Sequence, residues 1–236
     1  MLVNYNRLFL CLFLFSFCLS NSVLYPQESP INMTKQIQSQ ITPSLAAEYL
    51  KEGNKRFTEG KTLSKDFLNQ VKETSTGQFP FATILSCMDS RTPSEIIFDQ
   101  GLGDIFNIRI AGNIADDDII GSMEYACKVV GSKLIVVAGH TDCGAIKGAI
   151  DDVQLGNLTG LLKKIKPAIN EVKTDGERNS DNKTFVDMVT KENVFMAIKL
   201  IRDRSTILKE MEDKEEIKII GAMYNTSTGE VDFFEN

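Results

Sequence analysis

Four short apolar runs punctuate the chain at strand length: FATILS (81–86), IFNIRI (105–110), LIVVAG (134–139) and IKIIGAM (217–223). Each is rich in β-branched residues, and such runs predict strands buried in a parallel sheet. The segments between them are long enough for helices, with candidates in SEIIFDQ, GSMEYACKVV, LTGLLKKIKPAI and a long stretch from about Phe185 to Met211. Upstream, Thr42-Pro43 has the makings of a helix start, with Thr as cap and Pro in the first turn. LAAEYLKEGNKRF follows, placing Leu45, Tyr49, Leu50 and Phe57 at helical spacing, with Gly53 as a weak point. Segment 173–184 (KTDGERNSDNKT) is polar and reads as an exposed loop. Strands alternating with helices predict one α/β domain, its mainly parallel central sheet flanked by helices and preceded by an N-terminal helical arm.

The first residues follow a different pattern. Arg7 precedes LFLCLFLFSFCL, residues 8–19, a run shorter than the ~20 apolar residues a membrane span needs. It fits the apolar region of a secretory signal peptide, with cleavage after Ser22. The rivals are an uncleaved anchor and lipid attachment at Cys18, which bulky Phe17 disfavours. The expectation is an exported protein, periplasmic or secreted, that meets a membrane only if this segment is retained or lipidated. Residues 23–41, rich in Pro, Gln, Ser and Asn, read as a flexible lead, which leaves 42–236 as the domain. The formal charge is -6 with no basic cluster, which argues against nucleic acid as a partner.

Of the five cysteines, Cys11 and Cys18 lie in the signal, leaving Cys87, Cys127 and Cys143. Three widely spaced thiols make a poor disulfide framework, which is unexpected for an exported protein and suggests that something other than a second thiol holds some of them. The chain has a single histidine, His140 in GHTDCGAI. LIVVAG ends at His140 and FATILS ends at Cys87, so both residues stand just past the carboxyl ends of predicted strands, the edge at which open parallel sheets bind ligands. If those strands are neighbours, Cys87, His140 and Cys143 converge. Two thiolates and an imidazole suit zinc, and three protein ligands leave the fourth position open, as catalytic sites require. A lone His-x-x-Cys is a weak signal, since buried cysteines usually only pack. SCMDSR strengthens it: in an extended segment Cys87, Asp89 and Arg91 share one side. The plain alternative for Asp89 and Arg91 is an ion pair in a turn. Beside an arginine the carboxylate stays ionised and can accept a proton from a metal-bound hydroxyl.

CMDSR, GDIFNIRIAGN, SMEYACKVVG and GHTDCGA, in this order and spacing, resemble the β-class carbonic anhydrases, as do LKEGNKRF near the start and GAMYNTSTGEV near the end. The resemblance spans roughly residues 45–235. It implies that Cys87, His140 and Cys143 are ligands to one zinc per chain and that Asp89 and Arg91 are the catalytic pair. It also implies that Gln78 hydrogen-bonds substrate or inhibitor anions and that Phe106 and Tyr125 line the carbon dioxide pocket. Strand core and helix core are the plain readings of those two aromatics. Gly144 stands where close backbone approach to the metal is useful. The resemblance further implies a homodimer or dimer-built oligomer, with pockets shared between subunits and the N-terminal helix reaching across to the partner. Ile110 replaces the asparagine usual in the family, and Ile84 stands where bicarbonate-inhibited members carry a tryptophan, a residue this chain lacks. Arg109 resembles another part of that inhibitory site. Cys127 reads as a packed core thiol.

The implied activity is reversible hydration of carbon dioxide to bicarbonate and a proton by zinc-bound hydroxide. Two thiolates cancel the metal's charge, so the coordinated water should be less acidic than at a three-histidine site. A helix expected after Cys143 offsets this a little through its amino end. Hydrolysis of carbonyl sulfide or carbon disulfide, known in relatives of the family, stays open, as does a catalytically silent zinc protein, although the intact Asp89–Arg91 pair argues against the latter. A zinc alcohol dehydrogenase would need a Gly-rich dinucleotide fingerprint after a strand, and a zinc deaminase a His-x-Glu with Pro-Cys-x-x-Cys; neither is present.

Overall fold

A computed structural model describes residues 33–234. The proposed signal, its cleavage point and the first part of the lead lie outside the described residues.

The four apolar runs form β1 (Ala82–Ser86), β2 (Ile105–Arg109), β3 (Leu134–His140) and β4 (Lys218–Tyr224), and β5 (Val231–Phe234) completes one sheet in the order β2-β1-β3-β4-β5. The first four strands are parallel and β5 is antiparallel to β4. Along the chain the helices are α1 (Lys35–Gln40), α2 (Pro43–Thr58), α3 (Phe67–Thr74), α4 (Ser94–Ile97), α5 (Asp117–Glu124), α6 (Gly144–Ile150), α7 (Gly156–Lys163), α8 (Lys166–Glu171), α9 (Lys183–Arg204) and α10 (Thr206–Asp213). Among the described residues no helix is long and apolar enough to cross a membrane.

Strands β1 and β3 are fully buried, which is why they read as unbroken apolar runs rather than alternating ones. Their side chains divide between two faces. Ile84, Val136 and Ala222 join Leu50 of α2 and Phe81 in one core, whereas Leu85, Ile135, Val137 and Ile219 pack against Met123, Ile198 and Leu208 from α5, α9 and α10 in the other. A third cluster gathers Ile146, Ile165, Phe185 and Val189 around Cys87 and Cys143 beyond the carboxyl ends of the strands.

Thr42 caps α2 as expected, its hydroxyl accepting the Leu45 N–H at 3.2 Å. Gly53 is more than a weak point. A Cβ there would stand 1.8 Å from the Phe98 carbonyl oxygen, so the helix can lie against the α4 turn only with glycine. Within the stretch 23–41, α1 is docked: Thr34 caps it, and Gln38 Nε2 donates to the Pro80 carbonyl at 2.8 Å.

Several helices are shorter than their patterns suggested. Ser205 divides the long stretch after Phe185, because its extended backbone ends α9 while its hydroxyl caps α10. LTGLLKKIKPAI is two helices, with Pro167 in the first turn of α8, where a missing N–H does no harm. SEIIFDQ gives a single turn, closed by the left-handed, buried Asp99, which is paired with Arg56 and Lys65. GSMEYACKVV begins as α5 and continues as a π-helical segment, Tyr125–Val130, ended by left-handed Gly131. The pattern did not reveal α3 or β5. The first exposes Phe67, Leu68 and Val71, and the second is four residues long.

Candidate metal centre

Strand order reverses direction at the β1–β3 junction, since the chain runs from β1 outward to β2 and from β3 outward to β4. In an open parallel sheet this junction opens a crevice beyond the carboxyl ends of the two strands. Ser86 pairs with Ala138, so Cys87 leaves β1 beside the end of β3, which closes on His140. Cys143 follows after a tight turn through left-handed Asp142 and opens α6. The Cys87 and Cys143 sulfurs and a His140 ring nitrogen all lie within 4.8 Å of one another, and all three residues are buried. The sulfurs are 4.0 Å apart and both thiols are free.

The donor set fits a soft divalent cation. His140 Nδ1 is 2.9 Å from the Thr141 carbonyl, which can only accept, so Nδ1 carries the proton and Nε2 keeps its lone pair. Nε2 is buried with no hydrogen-bond partner. An unsatisfied buried acceptor is costly, and a metal ion is the partner this geometry supplies room for. Between the sulfurs, one S–H···S bond from Cys143 lowers the Cys87 thiol, and the same bond raises that of Cys143. A cation is what stabilises both as thiolates. The backbone N–H groups of Ile146 and Ala145, at the start of α6, also act on Cys143 in that direction. Cys127 behaves differently: burial pushes its thiol up to about 12, outweighing Lys133 and Ser132, which leaves it inert.

Asp89 and Arg91 stand at the rim. Arg91 Nε and Nη2 each donate to the Asp89 carboxylate at 2.9 Å. The pair forms through a turn rather than an extended run, because Asp89 Oδ1 also accepts the Arg91 backbone N–H at 2.9 Å. Asp89 Oδ2 is 3.9 Å from His140 Nε2, so the carboxylate reaches the point at which the donors converge. The hydrogen bonds from Arg91 hold the Asp89 carboxyl down at about 2.

Two residues that motif reading gave no such task secure the loop. Thr92 Oγ1 donates to the Cys87 carbonyl at 3.0 Å, and Arg109 Nε donates to the same oxygen at 3.2 Å. Arg109 also reaches the Asp89 carbonyl. Gly112, in the IAGN turn after β2, donates its backbone N–H to Cys87 Sγ at 3.4 Å. Only backbone direction, which a sequence does not display, makes these contacts visible.

The remaining positions lie elsewhere in the chain. Phe106 and Tyr125, with ring centroids 6.5 Å apart, line a cavity of about 500 Å³ whose walls include none of the three donors. Gln78 is exposed and precedes β1, while Cys87 follows it, so a strand length of about 17 Å separates them. Gly144 opens α6, but a Cβ there meets nothing within 4 Å, so protein packing does not demand glycine. Ile84 is wholly buried core.

The family model described as carbonic anhydrase matches residues 82–231. Carbonic anhydrase 2 of Mycobacterium tuberculosis is 34% identical over 193 residues, which cover 79% of this chain and 90% of that protein. A carbonic anhydrase of Mycolicibacterium smegmatis is 32% identical, over 80% of this chain and 92% of its own. Among solved structures, the β-carbonic anhydrase CcaA superposes with a TM-score of 0.65 at 25% identity, covering 80% of this chain and 95% of that one. Family match, relatives and fold agree with a buried Cys-His-Cys cluster at the sheet's switch point: the chain belongs to the β-class carbonic anhydrases, a family of enzymes.

Proposed function

We propose that this chain hydrates carbon dioxide reversibly to bicarbonate and a proton, using one zinc held by Cys87, His140 and Cys143. The observation that carries the reading is the convergence of two sulfurs and an imidazole nitrogen, with an arginine-bound carboxylate 3.9 Å from that nitrogen. Zinc bound there supplies a Lewis acid that brings the pKa of a coordinated water from ~15.7 down towards neutrality. The protein does the rest. Asp89, kept ionised by Arg91, can only accept; it takes a hydrogen bond from the nucleophile and so fixes where the oxygen's lone pair points. Arg91 fixes the carboxylate with two parallel bonds and keeps it from turning onto the donors. Thr92 and Arg109 hold the Cys87 and Asp89 carbonyls, and with them the loop that carries both side chains.

The test is stopped-flow hydration on the zinc-loaded protein, on the protein after zinc removal, and on His140→Ala. Zinc removal and the substitution are each expected to lower the rate by about 10³-fold or more, because the nucleophile then reverts towards ordinary water. A His140→Ala protein that keeps stoichiometric zinc and full rate would overturn the assignment. Side-by-side assays with carbonyl sulfide and carbon disulfide decide between hydration and the related hydrolyses.

Gln78, Phe106 and Tyr125 complete the pocket from a second copy of the chain. Phe106 and Tyr125 flank the open edge of β2, where Tyr125 is 53% exposed and Val129 also lies bare, and Gln78 lies exposed in the loop before β1. An unpaired edge strand beside exposed aromatic surface is a docking surface in want of a cover. A mixture of inactive Cys87→Ser and impaired Gln78→Ala chains is expected to regain activity after dissociation and reassociation, since one hybrid site is then whole. A monomeric mass by light scattering at full activity would end the idea. Export directed by the first 22 residues belongs to the same proposal, and the amino-terminal sequence of protein recovered from the cell envelope tests it.

A further inference from the structure

Two turns beside the metal donors are held from outside, by residues of α9. Asp142 lies between His140 and Cys143 in a left-handed conformation, with φ of 58°, which side-chain-bearing residues adopt only at a cost. Its backbone N–H donates to Asp187 Oδ1 at 3.2 Å. On the other side of the centre, Gly112 and Asn113 are both left-handed, with φ of 67° and 40°. A Cβ on Gly112 would stand 2.8 Å from Ile165 Cδ1, so this turn is pressed close against α8. Asn193 Nδ2 donates to the Gly112 carbonyl at 2.8 Å, and Gly112 in turn presents its N–H to Cys87 Sγ. Asn193 is buried. Asp187 and Asn193 both belong to α9, whose Phe185, Val186 and Val189 are wholly buried in the cluster that encloses Cys87 and Cys143.

We propose that α9 sets the geometry of the metal centre through two positioning residues: Asp187, which holds the turn between His140 and Cys143, and Asn193, which holds the turn that gives Cys87 its backbone hydrogen bond. The physical case is direct. The peptide at Asp142 determines how His140 and Cys143 are aimed relative to each other, and no other backbone donor–acceptor pair closes that turn at Asp142 among the described residues. An N–H directed at a thiolate spreads its charge and stabilises it, so the Gly112 contact bears on how firmly Cys87 holds a cation. A single rigid helix of 22 residues, anchored in the core, gives both turns one common reference. Outer hydrogen bonds of this kind commonly change metal affinity by about 10–100-fold when removed.

This proposal rests on the zinc reading, and its test keeps the two apart. Zinc release from the loaded protein into excess 4-(2-pyridylazo)resorcinol is followed for wild type, Asp187→Asn, Asp187→Ala and Asn193→Ser, with circular dichroism and thermal melting to confirm folding. Asp187→Ala is expected to release zinc about tenfold faster or more. Asp187→Asn keeps an oxygen that accepts the same N–H and is expected to stay near wild type, a rescue that a role of the carboxylate's charge alone would not produce. In cobalt-substituted protein the thiolate-to-metal band of Asn193→Ser is expected at longer wavelength, as the Cys87 sulfur loses its hydrogen bond. Folded variants with wild-type release and an unmoved band would overturn the proposal, and so would an Asp187→Asn protein as leaky as Asp187→Ala. Should one variant fail to fold, the other site decides. A wild-type chain that retains no zinc refutes the zinc reading instead.

Discussion

The two ends of the β1–β2 pair treat a carboxylate in opposite ways. Asp89, just beyond the carboxyl end, is gripped by Arg91 and held at about 2 although its neighbours are buried. Asp104, just before the foot of β2, is pushed up to about 6 by burial, with the Gly101 N–H and the charge of Lys65 only partly compensating. The difference lies in what each end has to do. At the top, polar groups converge on one point and the fold supplies a fixed cation so that an acceptor stays ionised. At the foot, the same residue type serves one loop hydrogen bond, and no arginine comes with it. The two regions also differ in completeness. The three donors sit together within one chain, whereas Gln78 precedes β1 and Phe106 and Tyr125 line a separate cavity at the β2 edge, and only the second copy proposed above would bring them to a site.

The sharpest way to break this comparison is at the top. Asp89→Asn and Arg91→Ala are expected to keep zinc near one per chain and to lower hydration by about 10²-fold, the usual scale for losing one positioned proton acceptor. Metal analysis alongside stopped-flow rates checks both halves of that statement. Unchanged kinetics in both proteins would reduce the pair to a structural ion pair in a turn.

The top of the sheet was also the part most open to reading from sequence, for a physical reason. A buried strand writes itself as an apolar run, and the residue at which the run stops is the residue that meets the crevice. Cys87 and His140 are such stops, and the structure pairs the strands that carry them as neighbours. The aid given by Arg109, Thr92, Gly112, Asp187 and Asn193 was not legible. Each contact runs through a backbone atom, either a carbonyl or N–H of another residue or Gly112's own N–H, and a backbone atom has no letter. Gly53 was misjudged for the same reason, since its need for glycine comes from the Phe98 carbonyl and not from its own helix. Ser205 broke a helix that periodicity carried through, because a cap competes with propensity on local geometry. The place of Phe106 and Tyr125 in a strand and a helix was readable, but which surface they serve depends on an unpaired edge.

A smaller effect tests the foot. The Asp104 pKa is raised from its unfolded value of about 3.9, so the folded chain binds this proton more tightly than the unfolded one. The group's favourable contribution is therefore present at low pH and lost as pH rises through about 6. Asp104→Asn keeps an oxygen for the Gly101 N–H and removes the ionisation. Its stability relative to wild type is expected to improve by about 2 kcal/mol between about pH 4 and pH 8, measured by urea unfolding at each pH. A difference that does not change with pH would show that water reaches Asp104 and that the two carboxylates are less unlike than their surroundings suggest.

The smallest expected effect joins the two observations. A proton must leave the site in every turnover, and the groups near it are badly poised to carry one. His140 is the only imidazole in the chain, and its free nitrogen faces the donors. Asp89 is held so low by Arg91 that it stays ionised throughout the neutral range, and its stabilisation is lost only as pH falls through about 2. Asp142 is lowered too, by its bond to Lys147, and burial raises the Tyr224 hydroxyl away from neutrality. None of Asp89, Asp142 and Tyr224 is moved towards the near-neutral range that proton transfer favours. Turnover is therefore expected to rise a few-fold, roughly 2–5-fold, as an imidazole-type buffer is raised at constant ionic strength, and to keep rising on the alkaline side of pH 7, since the ionisation that limits it belongs to the nucleophile and not to Asp89. Initial rates against buffer concentration at several pH values make the measurement. A rate flat in buffer and already maximal at pH 7 would mean that an internal carrier exists, and Asp187, whose carboxyl burial pushes upward beside the Asp142 turn, would be the first residue to replace.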